Sequence, residues 1–110
     1  MGCAMTENQY QAKLIKRLKV MFPGCVVMKN DSSYQQGVPD LILLWKKYWA
    51  SLEVKAAGEF YAHPNQVHFI NKLDEMSFAA FIFPENEEEV LNALQQAFTS
   101  PRRTRVSQSQ

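Results

Sequence analysis

Residues 37–55 set two carboxylates and a lysine inside apolar runs, Gly37-Val38-Pro39-Asp40-Leu41-Ile42-Leu43-Leu44-Trp45 and Ser51-Leu52-Glu53-Val54-Lys55. Charges in segments this hydrophobic are costly to bury unless they are paired or hold a metal. Leu41 to Trp45 is continuously apolar, as expected of a central strand buried on both faces. Lys46-Lys47 turns the chain back. The alternation from Tyr48 to Lys55 then puts Ala50, Leu52 and Val54 on one face and Trp49, Ser51, Glu53 and Lys55 on the other. A hairpin of these two strands brings Asp40 and Glu53 to the same end. There the two carboxylates and the main-chain carbonyl of Val54 form an oxygen donor set suited to Mg²⁺ or Mn²⁺. Lys55, on the same face as Glu53, is placed to orient a water or to offset charge developing in a transition state.

The flanking segments supply a framework. Thr6-Glu7-Asn8-Gln9 is a capping-box pattern, and Tyr10, Leu14, Ile15, Leu18 and Met21 follow at helical spacing. At about 100° per residue Glu7 falls near the middle of that apolar arc and is expected to face inward. The plainer reading of Glu7 is an acid complementing the helix dipole. Lys13, Lys16, Arg17 and Lys19 lie on the other faces, as a solvated surface or a track for a phosphate backbone. Pro23-Gly24 stops the helix, Cys25 to Met28 reads as a first strand, and Lys29 to Gln36 as a loop. Pro64 suits the first position of a helix running to about Met76, with Val67, Phe69, Ile70, Leu73 and Met76 on its apolar arc and Gln66 near the arc's centre. Phe78 to Phe83 is another apolar run, and Glu85 to Phe98 a further amphipathic helix with Val90, Leu91, Leu94, Ala97 and Phe98 on one side.

Length and composition exclude more than they select. With 110 residues, 46% hydrophobic and 21% charged, the chain fits one globular domain. A net charge of +1 gives no global attraction to nucleic acid, so any such surface depends on local clusters of Lys and Arg. Cys3 and Cys25 are too few for a disulfide framework, which predicts a reducing, intracellular (cytoplasmic) setting. No apolar run approaches the ~18 residues of a membrane span. Residues 1–5 read as a flexible N-terminus or a cloning remnant, although Met1-Gly2-Cys3-Ala4-Met5-Thr6 also fits a myristoylation pattern with an adjacent cysteine. Residues 6–99 form the expected single domain, and residues 100–110, with Arg102, Arg103 and Arg105, a disordered basic tail.

The coarse order is helix, three strands, helix, strand, helix. Pro39-Asp40, then Glu53-Val54-Lys55 after twelve intervening residues, resembles the PD-(D/E)XK nuclease superfamily, and the order of elements is similar to its restriction-endonuclease-like αβββαβ core. More narrowly, Gly37-Val38-Pro39-Asp40-Leu41, the Glu-x-Lys and His63-Pro64-Asn65-Gln66 look like the VRR-NUC group with its small stand-alone phage and bacterial members. The resemblance covers residues 7–83 and leaves the last helix unmatched. It implies an α/β fold with a mixed central sheet flanked by helices and an extra C-terminal helix. It implies that Asp40 and Glu53 bind the catalytic metal, that Lys55 is the catalytic lysine, that Gln66 reaches into the site from its helix, and that Glu7 matches the first-helix acid of many members. The activity implied is Mg²⁺- or Mn²⁺-dependent hydrolysis of DNA phosphodiester bonds, structure-selective for branched or junction DNA, by a homodimer. The dimer follows from family and size, one small subunit having little surface with which to embrace a branched duplex.

Other readings have less behind them. A structural ion pair of Glu53 with Lys55 is the plain alternative at the centre. A catalytically weak DNA-binding or assembly module with the same fold is the alternative in function. Zinc held by Cys25, His63 and His68 fails on placement, one histidine starting a helix and the other lying on its exposed face. Trp45, Tyr48 and Trp49 are candidates for stacking on bases, but aromatics near a hairpin tip more often serve core or interface.

Overall fold

The computed structural model describes residues 5–30 and 35–99. Residues 1–4 and 100–110, where the N-terminal modification pattern and the basic tail were expected, lie outside them. Helix α1 spans Glu7–Met21 and is followed by strands β1 (Val26–Lys29), β2 (Leu41–Trp45) and β3 (Tyr48–Val54). Helix α2 (Pro64–Met76), strand β4 (Ala79–Ile82), a short 3₁₀ turn (Pro84–Asn86) and helix α3 (Glu87–Thr99) complete the fold. The result is an α/β domain with a mixed four-stranded sheet, ordered β1-β2-β3-β4. The first two pairings are antiparallel, and β3 pairs with β4 in parallel through α2.

Local chemistry explains the boundaries. Thr6 caps α1 by accepting from the Gln9 amide, while the Gln9 side chain accepts from the Thr6 amide, which satisfies two donors that a helix start leaves open. The helix ends where Pro23 and Gly24 follow, Gly24 at φ +86°. Two residues join β2 to β3, and the turn takes Lys46 to φ +57°, in keeping with the left-handed backbone of tight hairpins.

The core is one-sided. Tyr10, Leu14, Leu18 and Phe22 of α1 and Val90, Leu91, Leu94 and Phe98 of α3 pack with Leu41, Leu43, Ala50, Leu52 and Val54 of the sheet. Each Leu, Val or Phe among them contributes roughly 1.5–3 kcal/mol by leaving water. Trp45 and Tyr48 stack on Phe98 at 6.1 and 5.4 Å on this same side, so two of the three hairpin aromatics belong to packing. Tyr10 donates to Glu87, and Arg17 bridges Glu87 and Glu88, fastening α1 to the start of α3. Arg17 thereby pairs with two carboxylates while staying partly exposed.

Among the described helices α2 is the one on the opposite face, and it lies over β3 and β4. The expectation that β2 is buried on both faces is therefore corrected. Leu41 and Leu43 are buried, but Ile42 is only half-buried and Leu44 is exposed. An apolar run gives no sign of which faces have a helix to cover them. For the same reason Val67 and Met76, expected on the buried arc of α2, sit exposed at its edges, with Ile70 buried between them. Among the described residues no helix is long and apolar enough to cross a membrane.

Candidate active site

Asp40 precedes β2, and its position is fixed by backbone bonding. The Asn30 amide donates to the Asp40 carbonyl at 2.8 Å, and the Asn30 side chain donates to the Pro39 carbonyl at 2.7 Å. The carboxylate of Asp40 then crosses to β3, where Oδ2 accepts from the Val54 amide at 3.0 Å. The hairpin thus brings Asp40 beside Glu53-Val54, as the spacing of the two motifs predicts.

Glu53 is 3% exposed. Alternation puts it on the face opposite Leu52 and Val54, and α2 closes over it there. Gln66, in the first turn of α2, donates through Nε2 to Glu53 Oε2 at 3.0 Å. Gln66 Oε1 accepts from Lys55 Nζ at 3.3 Å and from the His63 amide at 3.0 Å. Lys55 Nζ also lies 3.5 Å from Glu53 Oε2 and 5.5 Å from the centre of the Phe60 ring. One glutamine therefore caps its own helix, bonds the buried acid and positions the lysine.

Burial pushes the Glu53 carboxyl up to about 7, the charge of Asp40 raises it too, and the charge and hydrogen bond of Lys55 work in the opposite direction. Glu7 adds the smallest raising contribution. A buried acid whose pKa is raised by desolvation and by a neighbouring acid is a frequent mark of a functional site.

Gly37 lets α2 approach. Its φ is +91°, and a Cβ there would stand 2.6 Å from Asn65 Cβ and 2.9 Å from the Asn65 carbonyl carbon. Asn65 precedes Gln66, so the glycine of the first motif is packed against the turn that delivers the glutamine. This gives the Gly37-Val38-Pro39-Asp40 run a steric reason.

Of the residues singled out in the sequence, Asp40, Glu53, Val54, Lys55 and Gln66 come together. Glu7, expected to face inward, is exposed instead, yet it stands close enough to Glu53 for its charge to raise that carboxyl. Among the described residues no three His, Cys, Asp or Glu side chains form a group that could hold a metal ion. Asn30 and Phe60 escaped sequence reasoning. Asn30 carried a weak signal, as a polar residue directly after β1; Phe60, in an irregular segment, carried none. Cys25 lies under α1, with its thiol near the Leu18 carbonyl, and His63 and His68 are exposed on α2. No protein-family model matches the chain, and a search of curated proteins also finds no match.

Proposed function

We propose that the chain is a divalent-metal-dependent DNA endonuclease of the PD-(D/E)XK type with a restriction-endonuclease-like core. The observation that carries this reading is the Asp40–Glu53–Lys55 grouping, closed by Gln66 over an acid that burial and Asp40 hold near neutrality. A merely structural Glu53–Lys55 pair would not need Asp40 aimed at the same strand end.

The donor chemistry fits a hard cation. Mg²⁺ keeps several waters and takes one or two carboxylates, so Asp40, Glu53 and the Val54 carbonyl suffice without Glu7. The chemistry that such an ion supplies when bound is polarisation of a phosphoryl oxygen and a water of lowered pKa. Lys55 holds a positive charge at the site, where it orients the attacking water or offsets negative charge as the phosphodiester breaks. Gln66 keeps the lysine and Glu53 in register. Selectivity for branched or junction DNA, by a homodimer in the cytoplasm, extends the same reading.

One observation favours a rival, a binding or assembly module with the same fold: among the described residues no three His, Cys, Asp or Glu side chains group as a metal site. Purified protein incubated with duplex, flap and four-way-junction DNA, with Mg²⁺ or Mn²⁺ or with chelator, separates the two. Expected is metal-dependent cleavage that Asp40→Asn or Lys55→Ala abolishes while DNA binding survives. Failure to cut any of these substrates under any metal overturns the enzymatic reading.

A further inference from the structure

Residues 56–62, between β3 and α2, form neither helix nor strand, yet one side chain among them is drawn inward. Phe60 is half-buried. Its ring centre stands 5.4 Å from that of Phe81 on β4 and 5.5 Å from that of Phe83 just beyond the strand. The segment lies this close because Gly58 has no side chain: a Cβ there would come within 3.2 Å of the Phe83 ring. Three aromatic rings thus pin an irregular stretch to the edge strand of the sheet.

Packing on Phe81 and Phe83 would account for Phe60 if nothing charged met it. Lys55 Nζ lies over the same ring, 5.5 Å from its centre, within the reach of a cation–π contact. The ammonium's polar contacts are both long, 3.3 Å to Gln66 Oε1 and 3.5 Å to Glu53 Oε2. A head on a flexible four-carbon stem is poorly fixed by two such contacts. The Lys55 side chain is nevertheless only 13% exposed, so a third group shields it.

We infer that Phe60 is a positioning residue for Lys55, its ring holding the ammonium against Gln66 and Glu53. An aromatic face suits this task. It attracts a cation through its quadrupole and offers no strong acceptor, so the lysine keeps its N–H donors for Gln66, Glu53 and a phosphoryl oxygen. A leucine of similar bulk would fill the space against Phe81 and Phe83 without that attraction. The effect on rate rests on the nuclease reading; the hold on Lys55 does not.

NMR of the full chain reads the contact directly, with the Lys55 ε-methylene signals assigned by their loss in Lys55→Arg. The Phe60 ring current should displace them from those of the exposed lysines. Phe60→Leu should return them to the common position with an unchanged circular dichroism spectrum, and Phe60→Tyr should keep the displacement. Phe60→Met replaces the leucine variant if that one folds poorly. On DNA that the wild-type chain cuts, Phe60→Leu should lower kcat about tenfold with KM unchanged, and Phe60→Tyr should recover most of the loss. Lys55 signals that coincide with those of the exposed lysines, or that stay displaced in Phe60→Leu, overturn the inference, and so does full kcat in that variant. If the wild-type chain cuts no DNA, the nuclease reading falls, and the NMR comparison still decides whether Phe60 holds Lys55.

Discussion

Gln66 Nε2 donates to Glu53 Oε2 at 3.0 Å, so the first turn of α2 is bonded to the most buried charge of the sheet. The same amide accepts from Lys55. Removing it should disturb both partners at once. Gln66→Ala is expected to lower cleavage about 10–100-fold, as loss of a supporting partner commonly does, while costing only about 1 kcal/mol of stability. Single-turnover kinetics beside urea melts measure the two effects; a large stability loss with normal cleavage would assign Gln66 to capping alone.

The position of Glu53 fixes a sign for pH. Its folded pKa is pushed up to about 7 from an ordinary 4.5, so between these values the folded protein holds a proton that the unfolded chain has released. The contribution to stability is greatest below about pH 4.5 and is lost as pH rises through about 7, by up to about 3 kcal/mol. Urea midpoints of the metal-free protein from pH 4.5 to 8 should fall accordingly, and Glu53→Gln should flatten this part of the profile. Adding Mg²⁺ should raise the midpoint more at pH 8 than at pH 5, since the ion binds the ionised acid.

Gly37→Ala should be among the most damaging small substitutions. It combines a left-handed φ with a Cβ placed against the backbone of Asn65, for a cost of about 2–4 kcal/mol. Because Asn65 and Gln66 must shift, cleavage should fall even where the variant is still folded. Thermal melts and activity at low temperature together distinguish the local shift from global unfolding.

The clasp between α1 and α3 predicts the opposite pattern. Tyr10 is buried, and its hydroxyl donates to Glu87 at 2.7 Å. Tyr10→Phe should cost about 1.5–3 kcal/mol, the range for hydrogen bonds to a charged group. It should leave cleavage by the folded fraction unchanged. Denaturant melts paired with activity per folded molecule read out both halves.

Much of this arrangement was legible in the sequence because it depends on short-range rules. The cap at Thr6, the stop at Pro23-Gly24, the hairpin turn at Lys46-Lys47 and the start of α2 at Pro64 all follow from backbone chemistry within a few residues. Alternation along β3 placed Glu53 and Lys55 on a common face, and the hairpin brought Asp40 to them. Glu7 shows the limit. An arc angle does not say what covers the first turn of a helix, and Glu7 is exposed while its charge still reaches Glu53.

The sequence by itself determined the order of elements and the residue types that meet at the strand ends, since periodicity, capping and turn chemistry are local. The tertiary structure alone decided which faces are covered. Leu41 to Trp45 reads as one uniform apolar run, yet Leu43 is buried beneath α1 and α3 while Leu44 is exposed. Burial is a relation between elements distant in the chain. The described helices are divided two and one between the faces of a four-stranded sheet, and that imbalance becomes visible only once the helices are in place.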